Sequence, residues 1–235
     1  MNRRERPAKP ALTRAGIVAS AIKIMRAEGL ERTTMRRLAQ ALDTGAASLY
    51  VYVRNTAELH AAMLDELLGD VDLSPVTAPG DWRERLARIL SSYTQVLFDQ
   101  PSLARSAVVT RLSGPHYLNL GEAVLALLSE GGVPDNQAAW GIDLLLLLAT
   151  ATAAEHGTRE QAAGGRAEEE ALAAALRGVS SDSHPRIAAL GDDLQSGPGR
   201  ARAAWGVRVL LNGISLTPRP NPESPTPLGQ VEPDT

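Results

Sequence analysis

The 235-residue sequence predicts an all-α protein, with a small head of three short N-terminal helices followed by a larger helical body. Two observations lead there. Leu and Ala dominate while only 3% of residues are aromatic, so the chain is rich in residues that form helices cheaply and poor in those that suit strands. Apolar residues also recur at helical spacing, and no stretch shows the strict alternation of a half-buried strand.

The head opens with a basic arm, residues 1–11, carrying prolines at 7 and 10. Thr13 reads as an N-cap, and Ile17, Val18, Ala21, Ile22, Ile24 and Met25 form the apolar stripe of a first helix that stops at Gly29. A second helix starts after Thr33 or Thr34 and covers 35–42, burying Met35, Leu38, Ala39 and Leu42. Asp43, Thr44 and Gly45 break it. A third helix covers about 45–51, and a fourth, 56–68, takes Thr56 as its cap.

Two prolines and a glycine mark a linker over 73–80. Helices are then expected near 82–98, 102–112, 115–130 and 134–156, the last two separated by Gly131-Gly132, with Pro134 suited to a first turn. Residues 157–166 read as a loop, followed by weaker helices near 167–177 and 185–193 and a final apolar helix over 199–214. From Thr217 onward six prolines in 19 residues predict a disordered tail. The division expected is an arm (1–11), a head (12–56), a connecting helix (57–72), a body (73–216) and a tail (217–235).

Composition excludes several classes. With no cysteine there is no disulfide, thiol nucleophile or zinc-thiolate site, and a reducing cytoplasm is the simplest setting. The basic start is followed by no apolar run long enough for a signal peptide, because Arg14, Lys23, Arg26 and Glu28 interrupt it. The longest apolar run, 140–154, is shorter than a bilayer span and carries Asp143, so a buried helix is expected there rather than a membrane one. Histidines 60, 116, 156 and 184 lack metal-ligand spacing, and neither a phosphate loop nor a nucleophile elbow is present. Glu168-Glu169-Glu170 reads as a solvated run at a helix start. No enzyme and no cofactor is expected.

Net charge is −3, which alone argues against a nucleic-acid partner. Its distribution reverses that. Residues 1–60 carry 11 Lys/Arg against 5 Asp/Glu, and the remainder 13 against 22. A basic head on an acidic body suits a chain that meets phosphates at one end.

Three short helices with a tight turn between the second and third follow the helix-turn-helix plan, in which the third enters the DNA major groove and the second braces it. The segment 33–55 closely resembles the tetracycline repressor (TetR) family. The marks are Thr33-Thr34, Leu38-Ala39, Leu42 and Ser48-Leu49-Tyr50, followed by Tyr52-Val53-Arg54-Asn55, with Ile17, Ala21 and Gly29 in the helix upstream. The match covers about residues 12–68, and a weaker one extends to about 157 and resumes in the last helix.

Thr44, Gly45, Ala46, Ala47 and Ser48 make a small, polar reading helix that can sit deep in the groove, with Ala methyls against thymine methyls and Ser48 on a base edge or phosphate. The resemblance implies phosphate-binding hydroxyls for Tyr50 and Tyr52; the competing expectation for Tyr50 is a core tyrosine. Arg36 can reach a base or phosphate, and Thr13, Arg14, Thr34 and Arg54 are phosphate candidates. The chain departs from the family pattern at Asp43, where Gly is usual, and at Thr56, also a DNA-contact candidate, where Lys is common. Ala46 and Ala47 offer no strong hydrogen bonds.

For the body, the resemblance implies dimerisation and ligand binding. Helices 134–156 and 199–214 would pair across a two-fold axis, with Ala203, Gly206, Val207, Leu210 and Leu211 as the stripe on the last helix. A small apolar or amphipathic ligand would lie among the helices of 82–156, and Tyr93, Phe98, Arg111, His116, Tyr117, Trp140, Asp143 and Thr150 are its candidate contacts. The function implied is a homodimeric regulator, a repressor released from a palindromic double-stranded operator by that ligand. Two alternatives stay open: a regulator that activates or needs no ligand, and a helical small-molecule-binding or interaction protein that has lost DNA binding.

Overall fold

The computed structural model describes residues 11–109, 112–161 and 165–220, and places eleven α-helices and no strand among them. The expected arm up to residue 10, Arg111 and the tail from residue 221 lie outside the described residues.

In the head, α1 (Arg14–Glu28) begins where the Thr13 hydroxyl accepts the Gly16 N–H at 3.0 Å, and ends at Gly29, whose φ of 91° only glycine adopts without strain. The Thr33 hydroxyl, buried, donates to the Gly29 carbonyl at 3.0 Å and closes the loop into α2 (Met35–Ala41). Thr34 is the cap of α2, accepting the Arg37 N–H at 3.1 Å. The reading helix, α3 (Ala46–Leu49), is shorter than expected: Gly45 gives it no side-chain cap, and Tyr52 and Val53 close back on the Leu49 carbonyl as a turn. Leu49 and Val53 are buried with Ile17, Ala21, Leu38 and Leu59, and this apolar set holds the short helices in place. Leu42, expected in the core, is half-buried at the end of α2.

The next helix, α4 (Thr56–Leu68), is capped one residue earlier than expected. Asn55, not Thr56, is extended, and its Oδ1 accepts the Glu58 N–H at 2.8 Å. The Glu58 carboxylate in turn accepts the N–H of Arg54, the residue before the cap, at 2.8 Å, so one helix-start donor is satisfied and the preceding turn is tied to the helix.

Then follow α5 (Trp82–Phe98), α6 (Pro101–Val109), α7 (Pro115–Glu130) and α8 (Asp135–Gln161). The loop expected over 157–166 is corrected at 157–161, where α8 continues because one glycine costs only about 1 kcal/mol and no proline stops the helix; residues 162–164 lie outside the described residues. The chain ends in α9 (Gly165–Arg177), α10 (Pro185–Gln195) and α11 (Gly199–Leu216).

Contacts divide the chain into two compact units. Of the described residues, the first holds those from 11 to 71 with those of 92–120 and 150–169: α1 to α4, the second part of α5, α6, the start of α7, the end of α8 and the start of α9. Its core beyond the head includes Leu64, Tyr93, Leu97, Leu103, Leu120 and Ala153. The second holds 72–91, 121–149 and 170–220. Here Arg85 of α5, buried, donates to the carbonyls of Val76 (3.1 Å) and Ala78 (2.8 Å) and pairs with Glu130, which straps the linker onto the helices.

Also in the second unit, α8 and α11 run antiparallel. Gly141 faces Ile214 so closely that no Cβ fits between them, Gln137 donates to the Ile214 carbonyl at 2.7 Å, and Gly206 lies against Leu148. This corrects the expected pairing stripe on the last helix. Leu211 is buried, and Ala203, Gly206, Val207 and Leu210 are half-buried, so that face packs within the chain. The outward apolar side chains are Trp205, Val209 and Leu216 on α11, with Trp140, Leu144 and Leu147 on α8. By length and composition Asp135–Glu155 could cross a membrane, and 44% of its apolar window is buried inside the protein.

Candidate functional site

The turn between α2 and α3 sets the angle at which the reading helix is presented. Asp43 takes φ 48°, a left-handed conformation, while the Thr44 N–H bonds the Ala39 carbonyl (2.9 Å) and the Asp43 N–H bonds Gln40 (3.2 Å). This six-residue closure of a helix end favours glycine at the left-handed position, and asparagine or aspartate is the tolerated substitute. The departure at Asp43 therefore lies at a strained backbone position as well as adding a negative charge.

Every candidate DNA contact is at least partly accessible. Thr13, Arg14, Thr34, Arg36, Gly45, Ala47, Ser48, Tyr50, Arg54 and Thr56 are exposed, while Thr44, Ala46 and Tyr52 are half-buried. Tyr50 is 51% exposed and so is not a core tyrosine. Thr13 and Thr34 use an oxygen lone pair in capping, which leaves each hydroxyl hydrogen free to donate outward. The Arg54 guanidinium pairs with Glu58 (3.0 Å) while the side chain stays exposed; the Arg54 backbone N–H first, and this guanidinium second, hold the Glu58 carboxyl below its ordinary pKa. Sequence reasoning missed one organising pair. Arg37 of α2 grips the Glu28 carboxylate at the end of α1, its Nε 3.0 and 3.1 Å from the two oxygens. That hydrogen-bonded pairing lowers the Glu28 pKa and fixes α2 against α1. The two residues are nine apart across an irregular loop, so no periodicity announces them.

The ligand candidates separate. Tyr93 and Thr150 meet in the first unit, their hydroxyls 2.7 Å apart and buried. Burial pushes the Tyr93 phenol up to about 12, the Thr150 hydrogen bond opposes that, and the nearby Tyr117 adds to it. Tyr117, His116 and Phe98, all half-buried, belong to the same unit. Trp140 and Asp143 are exposed on α8 and belong to the second unit. Arg219 stacks on the Trp140 ring, 4.4 Å from its centroid. A surface cleft of about 290 Å³ between the end of α1 and the start of α6, lined by Met25, Leu30, Gln100 and Leu103 among others, contains none of the ligand candidates.

An all-α chain that presents a small, accessible third helix beyond a tight turn is a helix-turn-helix protein. Residues 17–63 match the model of bacterial regulatory proteins of the tetR family, and 74–217 match the tetracyclin repressor-like C-terminal domain. A helix-turn-helix transcriptional regulator of Saccharopolyspora erythraea is 30% identical over 211 residues, 89% of this chain and 87% of that one. A putative transcription regulator from Streptomyces coelicolor superposes with a TM-score of 0.77 at 55% identity, over 91% of this chain and all of that one. The Streptomyces coelicolor protein ActR, crystallised with actinorhodin, gives 0.78 at 33% identity over 87% of this chain and 96% of that one. The chain belongs to the tetracycline repressor family and is a transcriptional regulator.

Proposed function

We propose that the chain acts in the cytoplasm as a homodimeric repressor that binds a palindromic operator and leaves it when a small apolar or amphipathic molecule enters the body. Residues 12–56 read DNA, 57–72 connect, and 73–216 pair and sense. The observation that carries the DNA reading is the polarity of the head: Ile17, Leu38, Leu49 and Val53 are buried, while Arg36, Ala47, Ser48 and Tyr50 face outward together with Thr13 and Arg14. Dimerisation is supported by the outward Trp140, Leu144, Leu147, Trp205 and Val209, a set that a lone soluble chain rarely exposes. Ligand sensing is supported by ActR's complex with actinorhodin and by the Tyr93–Thr150 hydroxyl pair, a polar anchor in an otherwise apolar core.

The test is a gel shift with the promoter DNA beside the protein's own gene, at two salt concentrations. A discrete shift that survives competitor DNA and weakens with salt is expected. Arg36→Ala and Tyr50→Ala should each weaken it about tenfold or more while leaving the dimer intact. Normal binding by both variants would overturn the docking assigned to α2 and α3.

A further inference from the structure

The first unit contains a carboxylate that neither the core nor the DNA face explains. Asp65 of α4 is 8% exposed, and its Oδ1 accepts the Tyr117 N–H at 2.9 Å. Tyr117 lies in the first turn of α7, where N–H groups have no partner within the helix. The residue that would normally cap this turn, Gly114, has no side chain, and its carbonyl accepts the Leu118 N–H at 3.0 Å. A Cβ on Gly114 would collide with the Asp65 carboxylate. The cap of α7 is therefore supplied by another helix, 52 residues earlier in the chain. Just past the end of α4, the His116 imidazole of α7 sits against Gly69, 3.0 Å from where a Cβ would stand.

Both ends of this contact lead to functional groups. The Asp65 helix begins at Thr56, is fastened to Arg54 through Glu58 and follows the reading helix after a six-residue turn. On the α7 side, Tyr117 lies within electrostatic reach of the buried Tyr93, which holds Thr150. We propose that Asp65 is a positioning residue for the DNA-reading head, which by capping α7 from α4 ties the setting of α4 to the Tyr93–Tyr117–Thr150 cluster. This rests on the DNA-binding reading above and needs no knowledge of the ligand.

Reciprocity supplies the test, because a site that senses the head must respond when DNA fixes the head. Amide hydrogen exchange of residues 113–120 is measured in the full chain, with and without a duplex that the protein selects from a random pool. In the wild type the duplex should slow exchange at Tyr117 at least about fivefold, the low end for coupled sites. Asp65→Asn keeps an oxygen acceptor and should retain most of that effect. Asp65→Ala combined with Gly114→Ser gives α7 its own cap, so free-state exchange should stay near wild type while the dependence on DNA disappears. Wild-type exchange at Tyr117 that ignores DNA overturns the proposal, as does a double variant that responds like the wild type. Failure to select any duplex overturns the DNA-binding reading itself.

Discussion

Burying a phenol beside a threonine hydroxyl changes when that phenol can ionise. Tyr93 loses its proton near pH 12 in the folded chain, against about 10 for an ordinary tyrosine. Because the folded pKa is the raised one, the unfolded chain gives up this proton first, so stability is intact below about pH 10 and falls as pH climbs towards 12. In an absorbance titration Tyr93 should therefore ionise late, at about pH 12. Tyr93→Phe should remove that late step, and a wild type whose titration shows no such step would contradict the burial. The pairing with Thr150 was not legible in the sequence. Each residue stood out as polar among apolar neighbours, but 57 residues of chain separate them and no spacing rule connects helices that far apart.

Among the elements, the turn from α2 to α3 shows what a sequence does and does not disclose. Asp43 is visible in the sequence as a departure that brings a charge towards DNA, whereas its left-handed φ of 48° depends on how Ala39, Gln40 and Thr44 close the helix. Asp43→Gly should raise stability by roughly 0.5–1 kcal/mol, seen as a higher urea midpoint. The same change removes a negative charge from the DNA side and should tighten operator binding. Unchanged stability would mean that the turn tolerates aspartate without strain. Thr34→Ala, which removes the α2 cap, should cost about 1 kcal/mol. Helix positions followed from apolar spacing in the head and most of the body. The errors came at ends, where one hydrogen bond decides: Asn55 rather than Thr56 as the α4 cap, and α8 running on past Gly157.

For the molecule as a whole, the apolar character of α8 and α11 was plain in the sequence, but which side of α11 faces outward was not. Ala203, Gly206, Val207, Leu210 and Leu211 turn towards the chain's own packing, as Gly206 against Leu148 shows, and leave Trp205 and Val209 outside. Both sides are apolar at helical spacing, so composition cannot choose between them. Two copies meeting through the outer side give a direct expectation. On the dimer and palindromic operator proposed above, Leu147→Glu or Val209→Glu should sediment as monomer where the unaltered chain sediments as dimer, and should lose most operator affinity because only one half-site can then be held. Helical content by circular dichroism should be unchanged, since neither side chain is buried within the chain. Dimers that survive both changes would place the partner elsewhere.

The placement of the tryptophans has a spectroscopic consequence. Of the three, Trp82 is half-buried, while Trp140 and Trp205 stand 51% and 63% exposed on the outward sides of α8 and α11. Docking of a second copy there would take both indoles out of water, and their emission would move to the blue. Dilution would move it back. The chain thus carries its own optical gauge of assembly, readable at 295 nm excitation without dye or tag and in the same cuvette in which an effector is titrated.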